Sequence, residues 1–357
     1  MPLVANSKLP GFARLRSEGE EVLDPKRAAK QDIRELHIGI FNMMPDAAME
    51  VTERQFMRLV SGCNRIAQFH IYPFSVPEVP RGEWAQKHID QYYYSFDQIC
   101  EMGLDALIIS GAIPGPQLER EPFWKPLGEV LEWAAENVTS TLCACLATHA
   151  AMKYFWKEER QPLGYKQWGV YSHRRVHSHP LVRNINTRFD VPHSRFNEIT
   201  KLQMEAHGMK VLVESEEAGV HLAVSPDLFR YVFFQGHPEY DQNSLLKEYK
   251  REVSRFALGE IENYPPFPDH YISNAGKQLL NGFESKIKNS NSRVETMAEF
   301  PEQEAAEYTD YTWGDTAKIV FNNWLGLVYQ ITGAGRKEPF MQGIDPENPL
   351  GEVSLKK

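Results

Sequence analysis

A chain of 357 residues is long enough for one large domain or two ordinary ones, and 42% hydrophobic with 24% charged residues is the mix of a soluble globular protein. A formal net charge of -9 with no long basic block argues against nucleic acid as the main partner. No apolar run is long enough to span a bilayer, and Met1 to Glu35 lacks the apolar core of a signal peptide, so no membrane partner is expected.

Residues 1–33 are polar and carry Pro2, Pro10, Gly11 and Pro25, which reads as an extended N-terminal arm. Glu35 to Asn42 reads as a buried strand, broken by Asn42-Met43-Met44-Pro45. Ala47 to Val60 reads as a helix with Phe56, Leu59 and Val60 on one face. A strand over Ala67 to Tyr72 precedes a proline-rich loop from Pro73 to Gly82. A helix at Phe96 to Met102 leads into a strand over Asp105 to Ser110 and the loop Gly111-Ala112-Ile113-Pro114-Gly115-Pro116. Phe123 to Asn137 is helical, and Ser140 to Cys145 is a strand running straight into the helix-prone Leu146-Ala147-Thr148-His149-Ala150-Ala151-Met152. Strands alternating with helices indicate a parallel sheet flanked by helices, an α/β fold in which ligands collect at the carboxyl edge of the strands.

From Tyr165 to Val224 the pattern changes to short strands with turns (Trp168 to Tyr171, Asn186 to Val191, Lys210 to Val213, Val220 to Val224), read as an inserted antiparallel ribbon rather than more of the sheet. Tyr231 to Phe234 is again a buried strand, followed by Gln235-Gly236-His237-Pro238-Glu239. Asp241 to Leu258 is a helix, Asn289 to Asp310 a polar surface excursion, Thr312 to Ile331 a last helix, and 332–357 a loose tail. The organisation is thus an arm over 1–33, a single domain over 34–331 and the tail.

Four cysteines occur, Cys63, Cys100, Cys143 and Cys145, with no C-x-x-C pair, which fits a reducing cytoplasm. Cys145 lies where a strand turns into a helix, and backbone N–H groups at a helix N-terminus favour a thiolate and can hold an oxyanion. Cys143, inside the strand, reads as packing. His237 stands at the end of another strand with Glu239 two residues on, the pattern of a base and its orienter. His149, one helical turn past Cys145, has no acidic neighbour and reads as structural. His173, His177 and His179 lack accompanying cysteines or carboxylates, so a solvated ribbon is expected there rather than a metal site. The loop after Ser110 reads as a wall of the pocket beside Cys145 and a donor of backbone N–H groups, and Arg251 as a cation able to reach a substrate carboxylate. Neither a metal nor a bound cofactor is expected.

Phe41-Asn42-Met43-Met44-Pro45, Thr52-Glu53-Arg54-Gln55 with Arg58, Ile108-Ile109-Ser110-Gly111-Ala112, Ser140-Thr141-Leu142 with Cys145, Gly169-Val170-Tyr171, Pro192-His193-Ser194-Arg195 and Gly236-His237-Pro238-Glu239-Tyr240-Asp241 occur in this order. Together they resemble the homoserine O-acyltransferase family of methionine biosynthesis, in the branch related to class I glutamine amidotransferases, over residues 1–331. The resemblance implies ping-pong transfer of an acyl group from an acyl-CoA co-substrate through a Cys145 thioester to the hydroxyl of L-homoserine, with His237 as base and Glu239 as its orienter. It also implies substrate-binding roles for Lys166, Ser194 and Arg251, and a homodimer. Family members with glutamate at the position of Gly115 resemble acetyltransferases; glycine leaves room for the second carboxylate of succinyl-CoA, so succinyl is favoured. The alternatives on the same site are an acetyl donor or a serine acceptor, and more distantly a glutaminase or amidase. Two departures stand out. The segment Asp46-Ala47-Ala48-Met49-Glu50-Val51 lacks the family's lysine, and Leu146-Ala147-Thr148-His149 replaces residues among which tryptophan and glutamine are common.

Overall fold

The computed structural model describes residues 3–30, 33–63 and 67–351. Eleven strands form one sheet among these residues: β1 (Leu3–Val4), β2 (Val22–Leu23), β3 (Glu35–Phe41), β4 (Gln68–Phe74), β5 (Ala106–Ile109), β6 (Ser140–Ala144), β7 (Gln161–Arg175), β8 (Arg188–Glu198), β9 (Lys210–Ser215), β10 (Gly219–Val224) and β11 (Tyr231–Phe234). Their order is β2-β1-β4-β3-β5-β6-β11-β10-β9-β7-β8. The run from β2 to β11 is parallel, and every pairing from β11 to β8 is antiparallel.

Strict alternation along the central strands makes two cores. Ile38, Ile40, Ile108, Leu142 and Phe234 face one side, where Phe56, Phe321 and Trp324 of the helices Asp46–Ser61 and Gly314–Ile331 cover them. Leu107, Ile109, Cys143 and Phe233 face the other, under Leu131 and Ala150 of the helices Trp124–Asn137 and Leu146–Trp156. Strands apolar on both faces are what a sheet covered on both sides requires. A third cluster packs Trp168 of β7 against Tyr249 and Phe256 of the helix Ser244–Ala257, with Phe283 and Trp313.

The structure corrects several sequence expectations. The ribbon at Tyr165 to Val224 is antiparallel as expected, but it extends the sheet through the β11–β10 pairing instead of standing apart. The N-terminal segment is not an extended arm. It supplies β1, β2 and the helix Pro10–Ser17, whose Phe12 and Leu15 are buried. Pro10 occupies the first helical turn, where a missing N–H costs nothing. Pro73 lies inside β4 rather than in a loop. The β1 partner reaches only Phe69 and His70, and at Pro73 that side is met by an isolated bridge in which Pro73 only accepts, from the Tyr94 N–H at 2.9 Å. The stretch Asn289 to Asp310 is no plain excursion, because Phe300 and Ala305 are buried in the third cluster. The helix Asn274–Lys288, unforeseen, buries Leu280, Phe283 and Ile287 there. Leu350 is buried against the last helix, so the tail is packed as far as it is described; residues 1, 2, 31, 32 and 352–357 of the expected arm and tail lie outside the described residues.

Candidate active site

Four parallel strands end side by side, and their following loops are laced together. Ser110 N–H donates to the Phe41 carbonyl at 2.9 Å, Met43 N–H to Ser110 Oγ at 2.8 Å, and Cys145 N–H to the Phe234 carbonyl at 2.7 Å. The loops after β3, β5, β6 and β11 therefore form one floor at the carboxyl edge.

Cys145 sits on that floor at φ 51°, ψ -107°. A side chain is rarely held there, and such a conformation costs on the order of 1–3 kcal/mol. Thr148 offsets this, its hydroxyl lying 2.9 Å from the carbonyls of both Cys143 and Phe234 and bracing the turn from below. The positive φ ends the strand at Ala144, so Cys145 does not share a strand face with Cys143 as the alternation predicts. Cys143 stays in the core, where burial pushes its thiol up, and Cys145 is only half-buried at the edge. Gly111 packs against it: a Cβ there would lie 3.7 Å from the Cys145 Cβ.

His237 lies close enough to the Cys145 side chain for the sulfur to act on its charge. Its Nδ1–H donates to Glu239 Oε1 at 2.7 Å, and the Tyr240 ring stacks on it at 4.4 Å. The backbone N–H of His237 donates to the Pro192 carbonyl at 2.7 Å, tying the loop to β8. That approach needs Gly236, where a Cβ would fall 2.6 Å from Val191 Cγ1 and 2.8 Å from His193 Nε2. Burial opposes a charged His237 ring, yet the Glu239 carboxylate and the Cys145 sulfur outweigh it and hold its pKa well above the ordinary imidazole value.

Beside this triad lies a second cluster that the sequence did not disclose. Glu248, on the helix Ser244–Ala257, accepts from Lys166 Nζ at 3.1 Å, Ser194 Oγ at 2.6 Å and Tyr240 Oη at 2.7 Å. Lys166 reaches it from an irregular stretch of β7, between Pro162 and Gln167, and lies 4.0 Å over the Trp168 ring. Burial works against the Glu248 charge, but the Lys166 ammonium and the two hydroxyls keep its carboxyl below the usual range. Glu248→Ala is expected to destabilise the fold by about 2–4 kcal/mol, because it strands a half-buried ammonium and two hydroxyls. A wild-type denaturant midpoint for that variant would contradict this arrangement.

Of the residues singled out in the sequence, Cys145, His237 and Glu239 come together, and Lys166 and Ser194 meet at Glu248. Arg251 does not join them. Its side chain is 53% exposed and pairs with Glu252 at 3.6 Å. Gly115 lies on the loop after β5, its N–H donating to Glu121 Oε1 at 2.6 Å. The missing lysine of 46–51 has a neighbour in Arg81, buried, which donates to the Asn42 carbonyl at 3.0 Å and to that of Met44. The ribbon histidines are not solvated: His173 and His179 are buried, and all three meet backbone carbonyls, those of Tyr171, Val211 and Leu228. His149 is buried and bonded to Gln235 Oε1 at 3.0 Å. Among the described residues no group of three or more His, Cys, Asp or Glu is placed to hold a metal ion, and no helix is long and apolar enough to cross a membrane.

Comparison with known proteins adds the lineage. The family model described as "Homoserine O-succinyltransferase" matches residues 2–334. A homoserine O-succinyltransferase of Methylococcus capsulatus is 60% identical over 353 residues, 98% of this chain and 99% of that relative. One from Methylobacter tundripaludum is also 60% identical, covering 98% of this chain and all of that relative. Among solved structures, a glutamine amidotransferase from Thermotoga maritima covers 84% of this chain and 99% of its own, at 13% identity and a TM-score of 0.42. By the family match and the full-length relatives, this chain belongs to the homoserine O-succinyltransferase family.

Proposed function

We propose that this protein moves a succinyl group from succinyl-CoA to the hydroxyl of L-homoserine through a thioester on Cys145, an acylation of methionine biosynthesis. The observation that carries the reading is Cys145 at a strained strand-to-helix turn beside His237, whose ring is bonded to Glu239, in a chain whose full-length relatives bear that name.

In the first half-reaction the Cys145 sulfur attacks the thioester carbonyl while its proton resides on His237. The tetrahedral oxyanion is held by the backbone N–H of Leu146, which opens the helix and has no acceptor within it, and by that of Gly111 across the turn. The intermediate collapses with cleavage of the carbon–sulfur bond to CoA, and His237 returns the proton to the departing sulfur. In the second half-reaction His237 removes the proton of the homoserine hydroxyl, the oxygen attacks the enzyme thioester, and the Cys145 thiolate leaves. Glu239 keeps the imidazole oriented and stabilises its charged form in both halves. Homoserine is a zwitterion, so its carboxylate needs a cation and its ammonium an anion. Lys166 and Glu248, already paired with Ser194 between them, are the proposed receivers, with Arg251 swinging in from one turn further along the helix. The reading extends to one catalytic domain, with the N-terminal strands and helix as part of it, that works as a homodimer in the cytoplasm, where free Cys63, Cys100, Cys143 and Cys145 stay reduced.

The test compares kcat/KM for succinyl-CoA and acetyl-CoA against homoserine and serine. Succinyl-CoA with homoserine should lead every other combination by about tenfold or more; a lead for acetyl-CoA or for serine would overturn the assignment. Gly115 offers a sharper arm. A Cβ there would lie 2.9 Å from Glu121 Oε1, so Gly115→Glu brings a second carboxylate against the first and displaces it. That variant should lose roughly tenfold or more on succinyl-CoA relative to acetyl-CoA, since like charges at close range disfavour the succinyl donor. An unchanged donor ratio would remove Gly115 from acyl selection.

A further inference from the structure

Succinyl and acetyl groups differ at the far end of the acyl chain, where succinyl carries a carboxylate a few bonds beyond the reacting carbonyl. A glycine that merely avoids repelling this charge supplies no attraction for it, so a cation is needed within reach of Cys145. Two arginines lie within electrostatic range of the Cys145 sulfur, Arg160 and Arg195. Arg195 is committed elsewhere: its buried guanidinium donates to His193 Nδ1 at 3.3 Å, the Asn197 carbonyl at 2.9 Å and the Ala218 carbonyl at 2.6 Å. Lys166 is neutralised by Glu248.

Arg160 is differently placed. It follows the helix that Cys145 opens, and both of its hydrogen bonds leave from Nη2, to the carbonyls of Gly115 at 2.7 Å and Pro116 at 3.2 Å. Nε and Nη1 have no hydrogen-bond partner among the described residues, so Nη1, with two N–H groups, is left to donate to a carboxylate oxygen. Gly115 is thereby held on both sides, its N–H by Glu121 and its carbonyl by Arg160. The same loop begins at Gly111, against Cys145, so one five-residue wall links the nucleophile to the guanidinium. Arg160 also lines an open cleft of about 480 Å³ with Pro116, Gln117, Leu118, Glu119, Arg120 and Glu159. Burial lowers its pKa somewhat against the pull of Cys145, Glu121 and Glu119, and an arginine remains charged regardless.

We propose that Arg160 binds the free carboxylate of the succinyl group and is the residue that selects a dicarboxylic acyl donor; the proposal rests on the succinyl-transfer reading above. The experiment measures single-turnover acylation of Cys145 by succinyl-CoA and by butyryl-CoA, which has the same chain length without the charge, in the wild-type protein, Arg160→Gln and Arg160→Lys. The succinyl-to-butyryl ratio should fall about 10- to 100-fold in Arg160→Gln, the worth of one charge-assisted pair. Arg160→Lys should lie between the two. If Arg160→Gln slows both donors equally, the guanidinium only supports the Gly115 loop and the proposal fails. An unchanged ratio also sinks it. A wild-type protein that accepts no succinyl group overturns both this proposal and the succinyl-transfer reading, whereas one that does, with a ratio insensitive to Arg160, overturns this proposal alone.

Discussion

Cys145→Ala should abolish acyl transfer, with kcat falling by about 10⁴-fold or more, because the variant loses the only atom that can carry the acyl group between two substrates that never meet. The fold should survive. Cys145 is half-buried at a turn whose bracing comes from Thr148 and from the backbone bond to Phe234, neither of which uses the sulfur. Alanine, like cysteine, is strained at φ 51°, so the substitution adds no new backbone cost. Serine is the more instructive variant. It keeps an oxygen beside His237, but a hydroxyl is a far weaker acid than a thiol, so the imidazole cannot hold it ionised as it can the sulfur. Cys145→Ser should therefore also lose most activity, and any ester it forms with the donor should turn over slowly. Transfer at near wild-type rate in Cys145→Ala, measured by CoA release, would remove the thioester from the mechanism.

Acid should unfold this protein well before its carboxylates are protonated. His37 and His149 titrate near about 3, and His173 and His179 near about 4, in each case because burial penalises the charged ring. His193 and His221 are held well below the ordinary value of 6.5 for the same reason. Hydrogen bonding fixes these rings neutral. His193 Nδ1 accepts from Arg195, so His193 carries its proton on Nε2 and donates it to His173 Nε2 at 3.1 Å, while His173 Nδ1–H donates to the Tyr171 carbonyl. His179 accepts from the Leu181 N–H and donates to the Leu228 carbonyl. In the unfolded chain each ring takes a proton near 6.5. Between that value and the folded one the unfolded state binds more protons, so stability is complete above about pH 7 and is lost as the pH falls through 6.5 toward 4. Each ring contributes up to about 1.4 kcal/mol per pH unit inside that window. His88 and His237, whose pKa values are raised, act with the opposite sign: their contribution is full below 6.5 and fades as the pH rises through their folded values. The denaturant midpoint should drop steeply between pH 7.5 and 5.5, by several kcal/mol of unfolding free energy. Equal midpoints at the two values would contradict the neutral-ring assignment. Activity should follow stability here, because His193 packs directly under Gly236, one residue from His237.

The parts of the site visible in the sequence are those whose signal is local. A β-prone run ending at a cysteine with a helix behind it specifies the elbow, and a strand followed by histidine and a glutamate two residues on specifies the base and orienter. The loops that converge follow from strands being parallel. What escaped notice was set by distance along the chain. Glu248 reads as one charge among several on an amphipathic helix, and only the arrival of Lys166 and Ser194, 82 and 54 residues away, buries it. Arg160 reads as a loop cation until Gly115, 45 residues earlier, comes to meet it. The ribbon histidines look solvated in a polar stretch, yet continuing the sheet carries His173, His193 and His221 into its interior, with His221 stacked on Phe234. The N-terminal helix is different. Leu9, Phe12 and Leu15 already carry helical spacing, and Pro10 marks a start rather than a break.

The central claim is that one sulfur holds the acyl group between donor and acceptor. Intact-mass analysis after mixing the protein with succinyl-CoA alone tests it, with peptide mapping of the product. The account predicts the mass gain of one succinyl group, located on Cys145, discharged by homoserine and absent in Cys145→Ala. A donor consumed only when homoserine is present, with no adduct at any time, would contradict it.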